Sequence, residues 1–233
     1  MTFCLSDVVP WGRTFAEYEA MFALTDNDLR KNILGCGDGP ASFNAEATRR
    51  GVEVVSADPI YGFSAREIAT RIDETSPVVA RQLQENAGEF LWHYFRDADA
   101  VIDARLRAMR LFLADYAAGT SEGRYMKSSL PKLPFRDRQF GLSLCSHFLF
   151  LYSQHHDLDF HLAAIDELCR VSEEVRIFPL MELGSVPSRH IEQVISHLRN
   201  SGHAARRVGT GYEFQKGANE MLCIYPLQSD AAT

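Results

Sequence analysis

At 233 residues, with 46% hydrophobic and 24% charged side chains, the chain has the make-up of a globular protein, and no apolar run approaches the roughly 18 residues of a membrane-spanning helix. A formal charge of −7 with dispersed Lys and Arg argues against a broad phosphate-binding surface, so the expected partner is a small-molecule substrate, with no nucleic acid and no membrane. The start lacks the basic-then-apolar pattern of a signal peptide, which predicts a cytoplasmic protein, and cysteines at 4, 36, 145, 169 and 223 without CxxC spacing predict reduced thiols rather than a disulfide framework or a zinc site.

Thr14 three residues ahead of Glu17 forms a capping box and predicts a short helix through about residue 24, to which Trp11, Phe15 and Phe22 lend apolar weight. Residues 1–30 are thus expected to be a helical segment ahead of the first strand. Asn32, Ile33 and Leu34 predict a strand that runs straight into the turn Gly35-Cys36-Gly37-Asp38-Gly39. Pro40 suits the first turn of a helix over 41–50, and Gly51 its C-terminal stop. A buried strand over 52–57 then ends on Asp58-Pro59. This strand, loop, helix, strand unit has the form of a right-handed βαβ crossover.

From 64 to about 119 there is no strand signal. Ser64 and Glu67 form a second capping box, and Pro77 and the stretch 97–99 are expected to divide a helical insertion over 64–122 into three helices. Its most distinctive stretch, Phe90-Leu91-Trp92-His93-Tyr94-Phe95, is either the wall of an apolar substrate pocket or core at helical spacing. Alternation then resumes, with a short strand over 124–127, a long apolar strand over 142–150, a helix over 160–171, a strand over 174–180 and a helix over 188–200. Segments over 205–214 and 221–227, joined by Lys216-Gly217-Ala218-Asn219, predict a closing antiparallel hairpin. No repeat or linker divides the chain, so 1–233 is expected to be a single domain.

Two features carry chemistry. Glycines let a backbone turn sharply and approach a ligand, while the following helix presents free N–H groups. The spacing is G-x-G-x-G at Gly35, Gly37 and Gly39, and Pro40 stands where the dinucleotide fingerprint G-x-G-x-x-G needs its third glycine, which weakens a nicotinamide reading. Without a ligand the same residues make a tight strand-to-helix turn. Asp58, about twenty residues on, is placed to accept hydrogen bonds from both ribose hydroxyls of an adenosine-containing ligand, or it is a solvated turn residue before Pro59.

The run Ile33-Leu34-Gly35-Cys36-Gly37-Asp38-Gly39 resembles the glycine-rich first motif of the class I S-adenosylmethionine-dependent methyltransferases. Asp58 matches the acid that ends that family's second strand, Leu133-Pro134-Phe135 its Leu-Pro-Phe segment before the fourth strand, and Leu144-Cys145-Ser146-His147-Phe148 the end of that strand. The resemblance implies a Rossmann-like α/β fold: a seven-stranded, mostly parallel sheet with a C-terminal antiparallel hairpin, helices on both faces and the helical insertion after the second strand. It implies S-adenosyl-L-methionine as cofactor, held by Gly35, Cys36, Gly37, Asp38, Gly39, Asp58 and Pro59, with Ser128, Ser129, Leu130, Cys145 and Ser146 beside it. Three positions depart from the family: Ile33 stands where an acid usually precedes the first glycine, Ser128 or Ser129 where an acid follows the third strand, and Gly141 where one opens the fourth.

Methyl transfer from a sulfonium is an in-line displacement, so alignment and exclusion of water supply most of the acceleration. His147 is the candidate catalytic base if the acceptor must lose a proton, or else a core histidine with satisfied hydrogen bonds. Arg13 either closes over the cofactor carboxylate or lies on the surface. Arg176 either points toward the acceptor or pairs with a nearby acid. Asp157 and His161, four apart, suggest metal ligands, but a helix cap by Asp157 explains them better. The expected function is methylation of a small molecule; the alternatives are a non-catalytic S-adenosylmethionine-binding structural or regulatory protein, favoured by the missing acids, and a nicotinamide oxidoreductase.

Overall fold

The computed structural model describes residues 10–227; Cys4 and the expected helical character of residues 1–9 lie outside the described residues. Thr14 does open a helix. Its hydroxyl accepts from the Glu17 N–H, the Glu17 carboxylate accepts from the Thr14 N–H, and α1 runs over Phe15–Phe22.

Four short, almost wholly buried strands form the centre of the molecule: β1 (Ile33–Cys36), β2 (Val54–Ala57), β4 (Leu142–Ser146) and β5 (Val175–Phe178), with the two-residue β3 (Tyr125–Met126) outside β2. Continuous apolar runs of this kind are what parallel strands covered on both faces require. The chain closes with β8 (His203–Gly209) and β9 (Glu220–Pro226), and a small separate hairpin pairs β6 (Met181–Glu182) with β7 (Val186–Pro187). The seven-stranded sheet has the order β3-β2-β1-β4-β5-β9-β8; β9 enters antiparallel to β5 and pairs antiparallel with β8. One face is packed by α5 (Leu158–Val171) and α6 (Ile191–Asn200) through Ile165, Leu168, Val194 and Leu198. The other is packed by α1 and α2 (Phe43–Arg49) through Phe15, Tyr18, Phe22 and Phe43. Cys36, Cys145 and Cys223 are buried free thiols and Cys169 a half-buried one. None of the described helices is long and apolar enough to cross a membrane.

Register decides where a ligand can sit. Cys36 lies opposite Ala57 on one side and Cys145 on the other, so β1, β2 and β4 finish side by side and the residues after them share one edge. Strand order reverses there, between β1 and β4, the crevice in which open α/β sheets bind ligands.

Two α-helices connect β2 to β3, where three helices were expected: α3 (Ala65–Glu85), opened by the Ser64–Glu67 capping box, and α4 (Ala98–Ser121), capped by Asp97. Pro77 does not divide α3. Pro77 and Asp73, whose carbonyl loses its partner, are both exposed, so water can satisfy that carbonyl, while the Thr75 and Ser76 hydroxyls donate to the Arg71 and Ile72 carbonyls beside it. Residues 90–95 are not helical; Phe90, Trp92 and Phe95 gather around Phe214. The helix expected over 41–50 starts later, because Pro40 is still in the turn. The strand expected over 142–150 stops at Ser146, because His147 takes a left-handed conformation, φ 50°.

Candidate functional site

Gly35, Gly37 and Gly39 have different tasks. A Cβ on Gly35 would lie 1.8 Å from Asp38 Oδ2, so only glycine lets the Asp38 carboxylate fold back beneath β1. There it accepts from the Tyr18 hydroxyl at 2.8 Å and the Ser56 hydroxyl at 2.7 Å. Burial pushes Asp38 up to about 6 against those two donors. Gly37 and Gly39 have φ of 70° and 55°, the left-handed region that favours glycine.

Asp58 ties this turn to the next one. Its Oδ2 accepts from the Gly39 N–H at 2.9 Å, and its Oδ1 from the Ile60 N–H at 2.8 Å, which caps a 3-10 turn over Pro59–Gly62. Burial raises its pKa, and the two N–H donors oppose that rise. Each carboxylate oxygen has a second acceptor position beyond the bond it makes here.

Above this edge is a cavity of about 920 Å³. Cys36, Gly37, Asp38, Gly39, Asp58 and Pro59 line one side of it, Ser128, Ser129 and Leu130 a second, and Ser146 and His147 a third. Gly35 and Cys145 do not line it: the first acts through Asp38, and the second is buried in the core, where burial pushes its thiol up to about 12. The Ser128 hydroxyl is buried without a hydrogen-bond partner among the described residues. The His147 N–H donates to the Phe178 carbonyl at 2.6 Å, and its Nδ1 lies 3.0 Å from the Ser146 hydroxyl. Burial, with Arg13 and Arg105 nearby, holds the His147 pKa well below the usual histidine range, so the imidazole is neutral.

Sequence reasoning missed most of one wall. Arg105 pairs with Glu17 at 2.5 Å, Tyr212 donates to the same carboxylate at 3.0 Å, and Arg13 lies beside them inside the cavity rather than on the surface. One signal was present. Arg105 occupies the buried stripe of α4 with Val101, Ala108 and Phe112, an arginine at an apolar position. Glu17 was hidden because its capping role already explained it, and Tyr212, expected in a strand over 205–214, lies in the loop after β8, which ends at Gly209.

Other candidates fall elsewhere. Arg176 does not line the cavity and pairs with Asp28 and Glu174. Asp157 accepts from the Phe160 N–H as the cap of α5, His161 Nδ1 faces the Asp157 carbonyl, and no group of three or more metal-binding side chains occurs among the described residues. Phe90 of the aromatic stretch does line the cavity, with Phe214.

No family model matches the chain. The uncharacterized protein MJ0045 of Methanocaldococcus jannaschii is 35% identical over 221 residues, spanning 94% of this chain and 97% of that protein. The chain belongs to the same family as that archaeal protein. Among solved structures, the mitomycin 7-O-methyltransferase superposes with a TM-score of 0.50 at 12% identity, over 91% of this chain and 53% of that one. A magnesium protoporphyrin IX methyltransferase from Synechocystis PCC 6803 gives 0.48 at 13% identity, over 89% and 80%. This chain therefore spans about half the length of the mitomycin enzyme. The first likeness shows the fold, which is that of the class I S-adenosylmethionine-dependent methyltransferases. In that fold β9 and β8 extend the sheet beyond β5, and the cavity stands over the reversal between β1 and β4.

Proposed function

We propose that this protein is an S-adenosylmethionine-dependent methyltransferase acting on a small-molecule acceptor. The observation that carries the reading is the convergence of the glycine turn, the Asp58 carboxylate and the unpartnered Ser128 hydroxyl on one cavity. The residues present fit an adenosyl group. Asp58 offers two acceptor positions for the two ribose hydroxyls, Gly37 and Gly39 leave the backbone open to close approach, and the Ser128 hydroxyl has a hydrogen bond still to make. When bound, the cofactor supplies a methyl group on a sulfonium that an acceptor nucleophile displaces in line.

The chain's own contribution is then to hold, orient and dry the reactants. His147, just past the end of β4 and in the cavity wall, is the group placed to take the proton of an acceptor that must lose one. The α3 and α4 helices, with residues 90–95, form a cap that selects the acceptor within the one domain. The cavity, at about 920 Å³, lies toward the upper end of the roughly 300–1,000 Å³ range of small-molecule pockets.

Ile33, fully buried among apolar residues, favours a second reading, a binding protein without transfer, because no carboxylate stands there for the cofactor's amino group. Calorimetric titration with S-adenosylmethionine and NAD, followed by transfer of labelled methyl to a metabolite panel, tests both. The account expects binding of the first ligand in preference to the second, with turnover. Binding without turnover against intact acceptors supports the second reading, and preference for NAD overturns both.

A further inference from the structure

Around Glu17 the inner wall of the cavity sets two guanidinium groups, Arg13 and Arg105, against one carboxylate. Arg105 and Glu17 pair with both side chains only 1% exposed, and the second Glu17 oxygen accepts from Tyr212. Arg13 stands next to this pair, and the carboxylate that acts on it is that same Glu17; its Nη1 donates to the Trp11 carbonyl at 3.2 Å. Nε of Arg13 and Nε of Arg105 are both buried, and neither has a hydrogen-bond partner among the described residues. Two guanidinium ions therefore share one carboxylate, and two N–H donors in the cavity wall are unanswered. Burial and the neighbouring Arg105 lower Arg13 to about 10, which leaves it protonated at neutral pH. A buried ion without a counter-charge is costly, so such a surplus points to a ligand that brings one.

The proposed cofactor brings no net negative charge. S-adenosylmethionine carries one carboxylate and two cationic groups, the ammonium and the sulfonium, so its arrival adds a positive charge to the cavity. Beside Arg105 the wall becomes apolar: Val101 lies one turn earlier on α4, Leu83 comes from α3, and Phe90 and Phe214 stack with ring centres 4.7 Å apart. We infer that the acceptor is an amphipathic monocarboxylic acid, its carboxylate held by Arg13 and Arg105 and its apolar body by Val101, Leu83, Phe90 and Phe214. One carboxylate answers the one guanidinium ion of this wall that has no counter-charge among the described residues. The inference rests on the methyltransferase reading in calling this ligand the acceptor.

The test is calorimetry on the full chain saturated with S-adenosylhomocysteine, titrated with decanoate and 2-naphthoate, with their neutral counterparts decanol and 2-naphthol, and with decyl phosphate. At least one acid is expected to bind one to one and at least tenfold more tightly than its counterpart. Arg13→Gln is expected to remove that discrimination while leaving the neutral compound's affinity unchanged. Arg13 is the residue to change because it has no ion pair of its own among the described residues, whereas Arg105→Gln would strand Glu17. Equal affinity of acid and neutral compound, no binding by either acid, or tighter binding of decyl phosphate overturns the inference. So does acid preference seen only without S-adenosylhomocysteine, which gives the arginines to the cofactor carboxylate. Binding of S-adenosylhomocysteine without any acid defeats this inference alone; Arg13-dependent acid binding by a chain that ignores S-adenosylhomocysteine defeats the methyltransferase reading and leaves the carboxylate site.

Discussion

Arg176 and Arg105 are both buried arginines in ion pairs, and they differ in how the charge around them closes. All three side-chain nitrogens of Arg176 donate, to Asp28, Glu174 and the Phe22 carbonyl, and Lys31 bridges the same two acids. Two cations meet two anions away from the cavity. Around Arg105 two cations meet one anion, and two Nε donors are unanswered in the cavity wall. A closed cluster of that kind fixes architecture, tying the segment before β1 to β5. An open one marks a place where the fold is completed by something it binds.

The sharpest way to break this contrast is to open the closed cluster. Arg176→Met removes one partner from a buried, hydrogen-bonded set and is expected to cost about 3–5 kcal/mol of stability in urea unfolding. Affinity for S-adenosylhomocysteine should change less than twofold; a larger loss would mean that the cluster serves the site. Asp58→Ala comes next. Losing a carboxylate that receives two ribose hydroxyls is expected to weaken S-adenosylhomocysteine by about 2–3 kcal/mol, roughly a hundredfold, by calorimetry. Stability should fall by only ~1 kcal/mol, the worth of the lost cap.

Asp38 is an intermediate case, an acid with two hydroxyl donors and no cation. Its folded pKa of about 6 lies above the ~3.9 of an unfolded aspartate, so the folded state retains a proton that the unfolded state releases between those values. Stability therefore falls as pH rises from about 4 to about 6. Asp38→Asn escapes that loss. Thermal unfolding should show it more stable than the parent by ~1–2 kcal/mol at pH 7.5 and equal near pH 4; a gain independent of pH would contradict the account. The smallest effect belongs to the exposed Arg207–Glu192 pair, where Arg207→Ala should change stability by no more than about 0.5 kcal/mol.

The sheet was legible because its signals are local. Apolar runs mark the central strands, and the capping boxes at Thr14 and Ser64 start their helices at the expected residues. What failed depended on surroundings. Pro77 is tolerated because its face of α3 meets solvent, and the fourth strand ends where His147 turns, a bend that its apolar sequence conceals. The site divides in the same way. Gly37, Gly39 and Asp58 lie within one βαβ unit, and their spacing alone suggested a shared ligand. Arg105 reaches Glu17 across 88 residues of sequence and Tyr212 reaches it across 195, so only the folded chain shows that they are neighbours.

The most direct test of the central claim is a crystal structure of the protein with S-adenosylhomocysteine. The account predicts the ribose hydroxyls within hydrogen-bond distance of Asp58, the ligand lying against Gly37 and Gly39, and the apolar end of the cavity near Phe90 and Phe214 left open beside the sulfur. Density for the ligand away from Asp58, or none at saturating concentration, would contradict it.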